Sequence, residues 1–261
     1  MKRPHRARKY KHFKRDIDAI IASPDTPRVY LYENTKKVIF SDWHISDHSD
    51  ADNFKQNISL AAGVVFPRYS DRDVILVGDM LELWEAKAKH IFRHPKNHAI
   101  IYWLKRLTSE YVLGNHDKKA PKTGWKMPYS SGLLFLDGKT EKLLAVLIHG
   151  HQADKWNCGG WLTGIARWFV RYPWTWLQKA FNATSEPPEF SPAKNILLAS
   201  QIEKHYVKYA KDKGIVLICG HTHRAVKTNH YINVGSGVKL GLIQCVEING
   251  KEFVPVTWRE T

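Results

Sequence analysis

Five short polar clusters, each placed directly after an apolar run, hold most of the residues in this sequence that could do chemistry. They are Ser41-Asp42-Trp43-His44 after VIF, Gly78-Asp79-Met80-Leu81-Glu82 after VILV, and Gly114-Asn115-His116-Asp117 after YVL. His149-Gly150-His151 after AVLI and Gly220-His221-Thr222-His223 after IVLIC complete the set. Any one of them is ordinary loop chemistry. In an α/β sheet, however, ligands bind beyond the carboxyl ends of the strands, so five such loops converge on one edge. An edge that gathers Asp, Asn and several His suits a metal site. Carboxylate, carboxamide and imidazole without thiolate form a hard-to-borderline donor set, which fits Mn²⁺ foremost, with Fe or Zn²⁺ as the other choices. Asp42, His44, Asp79, Asn115, His149, His221 and His223 make seven side chains, more than one ion needs. Two divalent ions sharing one carboxylate would use them all. His151 lies two residues from His149, and by type and place either could be the ligand.

The elements that must position these loops are legible as hydrophobic runs. Val29–Tyr32, Lys37–Ser41, Asp73–Gly78 and Tyr111–Leu113 read as strands, with helices expected at 51–66, 81–89 and 97–107. Leu133–Leu136 and Lys142–Ile148 flank Asp137-Gly138, a hairpin signal. Residues 161–181 look helical with a break at Pro173, and 192–213 form a long helical segment. Ile215–Cys219, His230–Val234, Leu240–Ile248 and Glu252–Thr257 close the chain as strands, the last two joined through Asn249-Gly250. The result is an α/β chain without internal repeats.

The chain has 261 residues, 43% of them hydrophobic, and carries a formal charge of +15. This composition excludes disorder and collagen, and the length can bury a full core. Three cysteines without a CxxC pair read as reduced thiols rather than a disulfide framework or zinc knot. Positive charge favours anionic partners: phosphorylated substrates, nucleic acid or acidic headgroups. Met1 to Arg15 holds eight Lys/Arg and no acid, and residues 1–27 are read as a basic N-terminal extension of a domain over 28–261. No apolar run of signal-peptide or membrane-spanning type occurs, so a cytoplasmic protein, with a peripheral membrane contact as an option, is the expectation.

The order of clusters resembles the calcineurin-like metallophosphoesterase superfamily, whose pattern D-x-H, G-D, G-N-H-[DE], H and G-H-x-H stands here as DWH, GD, GNHD, HGH and GHTH. The resemblance spans about residues 37–238 and implies a four-layer αββα sandwich. It implies that Asp42, His44 and His223 hold one ion, that Asn115, His149 and His221 hold the other, and that Asp79 bridges them. It further implies hydrolysis of a phosphoester or diphosphate by a metal-bridging hydroxide. His116 would donate a proton or hydrogen bond to the substrate, and Asp117 would orient His116.

The segment GDMLELW over 78–84 is similar to a signature of the UDP-2,3-diacylglucosamine hydrolase (pyrophosphatase) branch, with Glu82 and Trp84 on the first helical turn after Asp79. Glu82, Trp84, His151 and Arg224 are candidate substrate contacts. The branch usually has Arg where this chain has His116, which points to a substrate of its own within that chemistry. Residues 155–190 read as a helical lid. They carry Trp156, Trp161, Trp168, Trp174 and Trp176, and no acid before Glu186, a composition suited to a membrane interface or, equally, to a hairpin that packs its Trp residues into the core and forms one wall of the substrate cleft. The expected partner is therefore a phosphorylated small-molecule or lipid-linked substrate. A nucleic-acid or cyclic-nucleotide phosphodiesterase is the rival enzyme. A non-catalytic scaffold of this fold is the rival from another class, and it would be marked by lost ligands, of which there are none.

Overall fold

Short apolar runs rich in Val, Ile and Leu become strands here because they are buried on both faces and too short for stable helices. The computed structural model describes residues 11–49, 52–154 and 196–260. Twelve strands lie among them: β1 Arg28–Leu31, β2 Lys36–Phe40, β3 Asp73–Val77, β4 Thr108–Val112, β5 Tyr129–Ser130, β6 Leu133–Asp137, β7 Leu143–Leu147, β8 Val216–Cys219, β9 Val226–Lys227, β10 Tyr231–Asn233, β11 Leu242–Asn249 and β12 Glu252–Arg259. They form two six-stranded sheets, β1-β6-β7-β8-β10-β9 and β12-β11-β2-β3-β4-β5. β2, β3 and β4 pair in parallel, as do β7, β8 and β10, so the clusters after them emerge on one edge of each sheet. The expected hairpin is β6–β7, with Leu133 opposite Leu147.

Helices cover both outer faces. α1 (Lys11–Ala22) and α4 (Ile196–Lys213) pack on the first sheet through Phe13, Ile17, Ile202 and Tyr206 against Val146, Leu217 and Tyr231. A helical run over 54–68, together with α2 (Ala88–Arg93) and α3 (His98–Leu107), covers the second through Phe54, Phe66, Ile100 and Leu104 against Phe40, Val74 and Leu76. Ile39, Ile75, Val112, Phe135, Ile218 and Val246 fill the space between the sheets. The chain is thus a four-layer αββα sandwich.

Several elements differ from the sequence reading. The 54–68 run is not one α-helix: residues Ala61–Val65 form a π turn just before Pro67, whose missing N–H cannot complete the i→i−4 ladder. The helix expected at 81–89 begins only at Ala88, because residues 81–87 are a turn that sends Glu82 and Trp84 inward. Residues 11–22 of the basic extension form a helix, α1, that is part of a sandwich layer. The Trp-rich 155–190 segment, Cys158 and the first ten residues lie outside the described residues. Among the described residues, no helix is long and apolar enough to cross a membrane.

Phe13 is 1% exposed, and its ring meets Tyr206 and Tyr209 edge-on at 5.4 and 6.0 Å. Phe13→Ala is expected to destabilise the fold by roughly 3 kcal/mol and to lower the melting temperature by roughly 6–12 °C. Tyr102→Ala, at a position 54% exposed, should stay within about 0.5 kcal/mol of wild type in the same thermal melts.

Candidate metal centre

The five loops are zipped together before any side chain is considered. Asp42 N–H donates to Gly78 O, His44 N–H to Asp79 O and Ile45 N–H to Met80 O, which extends the β2–β3 pairing beyond the strands. Gly78 N–H donates to Val112 O, Gly220 N–H to His149 O and Gly237 N–H to Asp42 O. Close approach demands glycine at two of these points. A Cβ on Gly114 would fall on the Asp79 carboxylate, and one on Gly78, where φ is +64°, would fall on the His149 ring.

Backbone strain gathers at the same place. Among the described non-glycine residues seven have positive φ, and five of them are Asp42, His44, Asp79, His221 and His223. Each such residue costs on the order of 1–3 kcal/mol and persists only where its surroundings over-determine it. His48 and Glu141 are the other two.

Three groups of ligand atoms result among the described residues, each with all atoms within 4.8 Å of one another: Asp42, His44 and His223; Asp79, His149 and His221; and His44, Glu82 and His116, which shares His44 with the first. The His149 and His221 rings lie 5.2 Å apart, as do those of His44 and His223. Asn115 is buried beside Asp79, with His116 N–H on Asp79 Oδ1 at 2.8 Å. His149 rather than His151 enters the second group. The His151 ring sits 5.4 Å from that of His149, and burial holds it well below the usual imidazole range.

The nitrogens show how these histidines are aimed. His44 Nδ1 donates to Glu82 Oε2 at 2.7 Å, His149 Nδ1 to Val77 O at 3.2 Å and His221 Nε2 to Asp154 Oδ2 at 3.1 Å. Each ring thus spends one N–H on an acceptor and keeps its other nitrogen for the site, the arrangement found at metal-bound histidines. His44 Nε2, His149 Nε2 and Asp42 Oδ1 are buried without hydrogen bonds. His149 Nε2 stands 3.0 Å from Asp79 Oδ2, and His223 Nε2 stands 3.2 Å from Asp42 Oδ1. Close approach without hydrogen-bond geometry is how ligands converging on a shared ion are arranged. The residues fit a divalent metal centre.

Charge explains how two buried carboxylates are tolerated. Burial alone would raise the Asp79 pKa, but His149 and His116 hold it well below the carboxylate range. Burial likewise disfavours the His149 imidazolium, yet Asp79 and Asp42 outweigh it and lift its pKa to about 9. At His223 burial prevails over Asp42 and favours the neutral ring that a ligand needs.

The resemblance implies Asp117 behind His116. The structure puts Glu82 there instead, because the turn at 81–87 points Glu82 into the site. Both Glu82 oxygens approach His116 Nδ1, at 2.9 and 2.8 Å, and His116 stacks on Trp84 with centroids 4.1 Å apart. Burial would raise Glu82, but His116 and His44 bring its pKa down to about 2, so it stays ionised between them. Asp117 accepts from Gly114 N–H at 2.7 Å, from Met80 N–H at 2.9 Å and from the Tyr111 hydroxyl, tying the second loop to the third. Burial, reinforced by Asp79, raises its pKa to about 6. Glu82 and Trp84, expected at the substrate, are occupied with His44, His116 and the Asn115 carbonyl, which accepts from Trp84 Nε1 at 2.8 Å. Arg224 is tethered to Ser200 Oγ at 3.1 Å and stands 3.6 Å from Glu203. Sequence reading did not single out Asp154 or Glu203. The second is buried and accepts from Thr222 Oγ1 at 2.8 Å, bracing the fifth loop from α4. Neither stands in a strand-end cluster, so only the tertiary fold reveals them.

The sandwich gathers clustered Asp, Asn and His at its strand ends, the layout of a metal-binding αββα fold. The Metallophos family model, described as calcineurin-like phosphoesterase, matches residues 35–225, and the chain belongs to that family. That family uses a dinuclear divalent centre. No curated protein matches the chain. Among solved structures it is similar to a 5'-nucleotidase from Candida albicans SC5314, at 12% identity and a TM-score of 0.35. That likeness covers 89% of this chain and 52% of the other, so the chain spans about half that protein's length.

Metal uptake must displace the proton on His149, whose pKa is near 9 in the metal-free protein. Uptake is therefore expected to release protons, and affinity should rise as pH increases toward about 9. Calorimetric Mn²⁺ titrations in buffers of different ionisation enthalpy check this, and a heat independent of buffer would contradict it.

Proposed function

We propose that this protein hydrolyses a phosphoester or diphosphate bond in a nucleotide- or lipid-linked small molecule, of the UDP-diacylglucosamine pyrophosphatase type. Asp42, His44 and His223 would hold one divalent ion, Asn115, His149 and His221 the other, and Asp79 would lie between them. When bound, the ions would supply Lewis-acid stabilisation of the phosphoryl oxygens and a water of lowered pKa. The chain's own residues do the rest. His116, fixed by Glu82 and Trp84 with its ring 4.7 Å from that of His44, would hold a proton at Nε2 for the leaving oxygen.

The placement of His116 is the observation that carries this reading. The ring is braced on one face by an indole and at Nδ1 by a carboxylate, a support suited to a proton donor. Next to the fourth cluster, a cleft of about 550 Å³ reaches from His151 and Gln152 past Ser130 and Ser131 to Thr26 and Asp25. Its size and polar lining suit a sugar- or nucleoside-like leaving group. The Trp-rich, acid-free sequence over 155–185 supports a lipid-linked partner.

The test is turnover of UDP-diacylglucosamine, nucleoside diphosphates, p-nitrophenyl phosphodiesters and oligonucleotides side by side with Mn²⁺. Equal turnover of lipid-linked and soluble diphosphates would remove the lipid part. Preference for oligonucleotides with a steep salt dependence would favour a nuclease. His116→Ala should keep its metal and lose about 10²–10⁴ in rate, most on poor leaving groups. An emptied site in that variant would sink the proton-donor role. Asp79→Ala should lose activity together with metal at both positions.

A further inference from the structure

His221 differs from the other cage histidines in where its support comes from. His44 is held by Glu82, close to Asp79 in sequence, and His149 by the carbonyl of Val77 at the end of β3. His221 is held by Asp154, which follows a short helical turn, His151–Ala153, just past the fourth cluster. Asp154 is fully buried and His221 is 4% exposed, so water does not readily replace either partner of this bond.

Both ends of the pair are anchored. The His221 backbone is pinned by its N–H on Asp42 Oδ2 at 2.9 Å and by its strained φ of 69°. Asp154 N–H closes the turn on His151 O at 3.0 Å. Tyr206 clamps that turn from α4: its hydroxyl donates to Gly150 O at 2.7 Å and accepts from Ala153 N–H at 3.0 Å. With the backbones set, the freedom left to His221 is which nitrogen carries its proton and how the ring turns about its side-chain bonds. An ionised carboxylate only accepts, so Asp154 selects the tautomer with hydrogen on Nε2 and leaves the Nδ1 lone pair for the site.

We propose that Asp154 is a positioning residue which, by holding His221 Nε2–H, sets the affinity of the ion shared by Asp79, His149 and His221. The inference rests on the metal-centre reading above. Loss of Asp154 leaves two choices for His221. It can bury an unpartnered N–H, or it can adopt the other tautomer and aim an N–H at the ion. Either weakens that one position, and the Asp42, His44 and His223 position is untouched.

The test is metal uptake by chelator-treated protein, followed by Mn²⁺ calorimetry with elemental analysis of the dialysed product. Wild type should take up two ions. Asp154→Ala should bind one as before and the other 10–100-fold more weakly. Asp154→Asn keeps an acceptor and should weaken the second ion less than tenfold. Tyr206→Phe loosens the turn but keeps the carboxylate, and should retain both ions. In ¹⁵N spectra of the metal-free protein labelled at histidine, wild type should show an Nε2–H tautomer whose signal Asp154→Ala shifts or loses, with near-ultraviolet circular dichroism unchanged. Two wild-type-affinity ions in Asp154→Ala would overturn the inference. So would a Tyr206→Phe loss equal to that of Asp154→Ala, because Asp154 would then act only through the loop. Wild-type protein that takes up no ion would overturn the metal-centre reading itself.

Discussion

Two carboxylates with almost no access to water, Asp42 and Asp79, set the terms for everything around them. A buried anion is costly unless paired or hydrogen-bonded, and these two are served by loop N–H groups, a serine hydroxyl and a ring of imidazoles. Each oxygen taken by the protein is fixed in direction, and Asp42 Oδ1 is left facing the cage. The same arrangement that makes the metal-free interior tolerable therefore leaves ligand atoms poised for cations. The lifted pKa of His149 is the electrostatic trace of that demand, since a proton there serves as the positive charge when no ion is present.

Satisfying the two anions fixes the loops, and the loops carry the strain. Left-handed backbone at Asp42, His44, Asp79, His221 and His223 turns each chain sharply as it leaves its strand, so that a side chain from a parallel sheet can point along the strand direction. Those conformations hold because the two sheets and their helical layers are packed before the loops begin: Val77, Val112, Leu147 and Cys219 immediately precede the clusters or lie within two residues of them, and all are buried. Core packing and site geometry are thus one structure, and α1, whose Phe13 and Ile17 cover the first sheet, contributes to it from a stretch whose sequence looks like a charged tail.

The support behind the ligands was only partly legible. GDMLELW singles out Glu82 and Trp84, but the resemblance places them on the first helical turn after Asp79 as substrate contacts. The chain instead makes a turn, and the pair reaches His44, His116 and Asn115. Glu82 takes the place behind His116 expected of Asp117, because adjacency in sequence does not tell which of two carboxylates a folded turn brings to a ring. Asp154 and Glu203 carried no local signal at all. Each acts on the fifth loop across long sequence separation, on His221 and Thr222.

Sequence alone determined most of the strands, the gathering of their ends at one edge, and the ligand types collected there, while β5, β9 and the strand order came from the structure. The former follow from local rules: apolar runs of strand length, glycine at tight turns, and Asp, Asn and His as the donors hard-to-borderline cations accept. Tertiary structure alone decided which nitrogen of each histidine faces inward, which carboxylate stands behind which ring, and that residues 11–22 are a layer rather than an appendage. Those choices depend on contacts between segments up to about 180 residues apart, such as Asp42 with His221, and no local pattern encodes a contact whose partner lies in another layer.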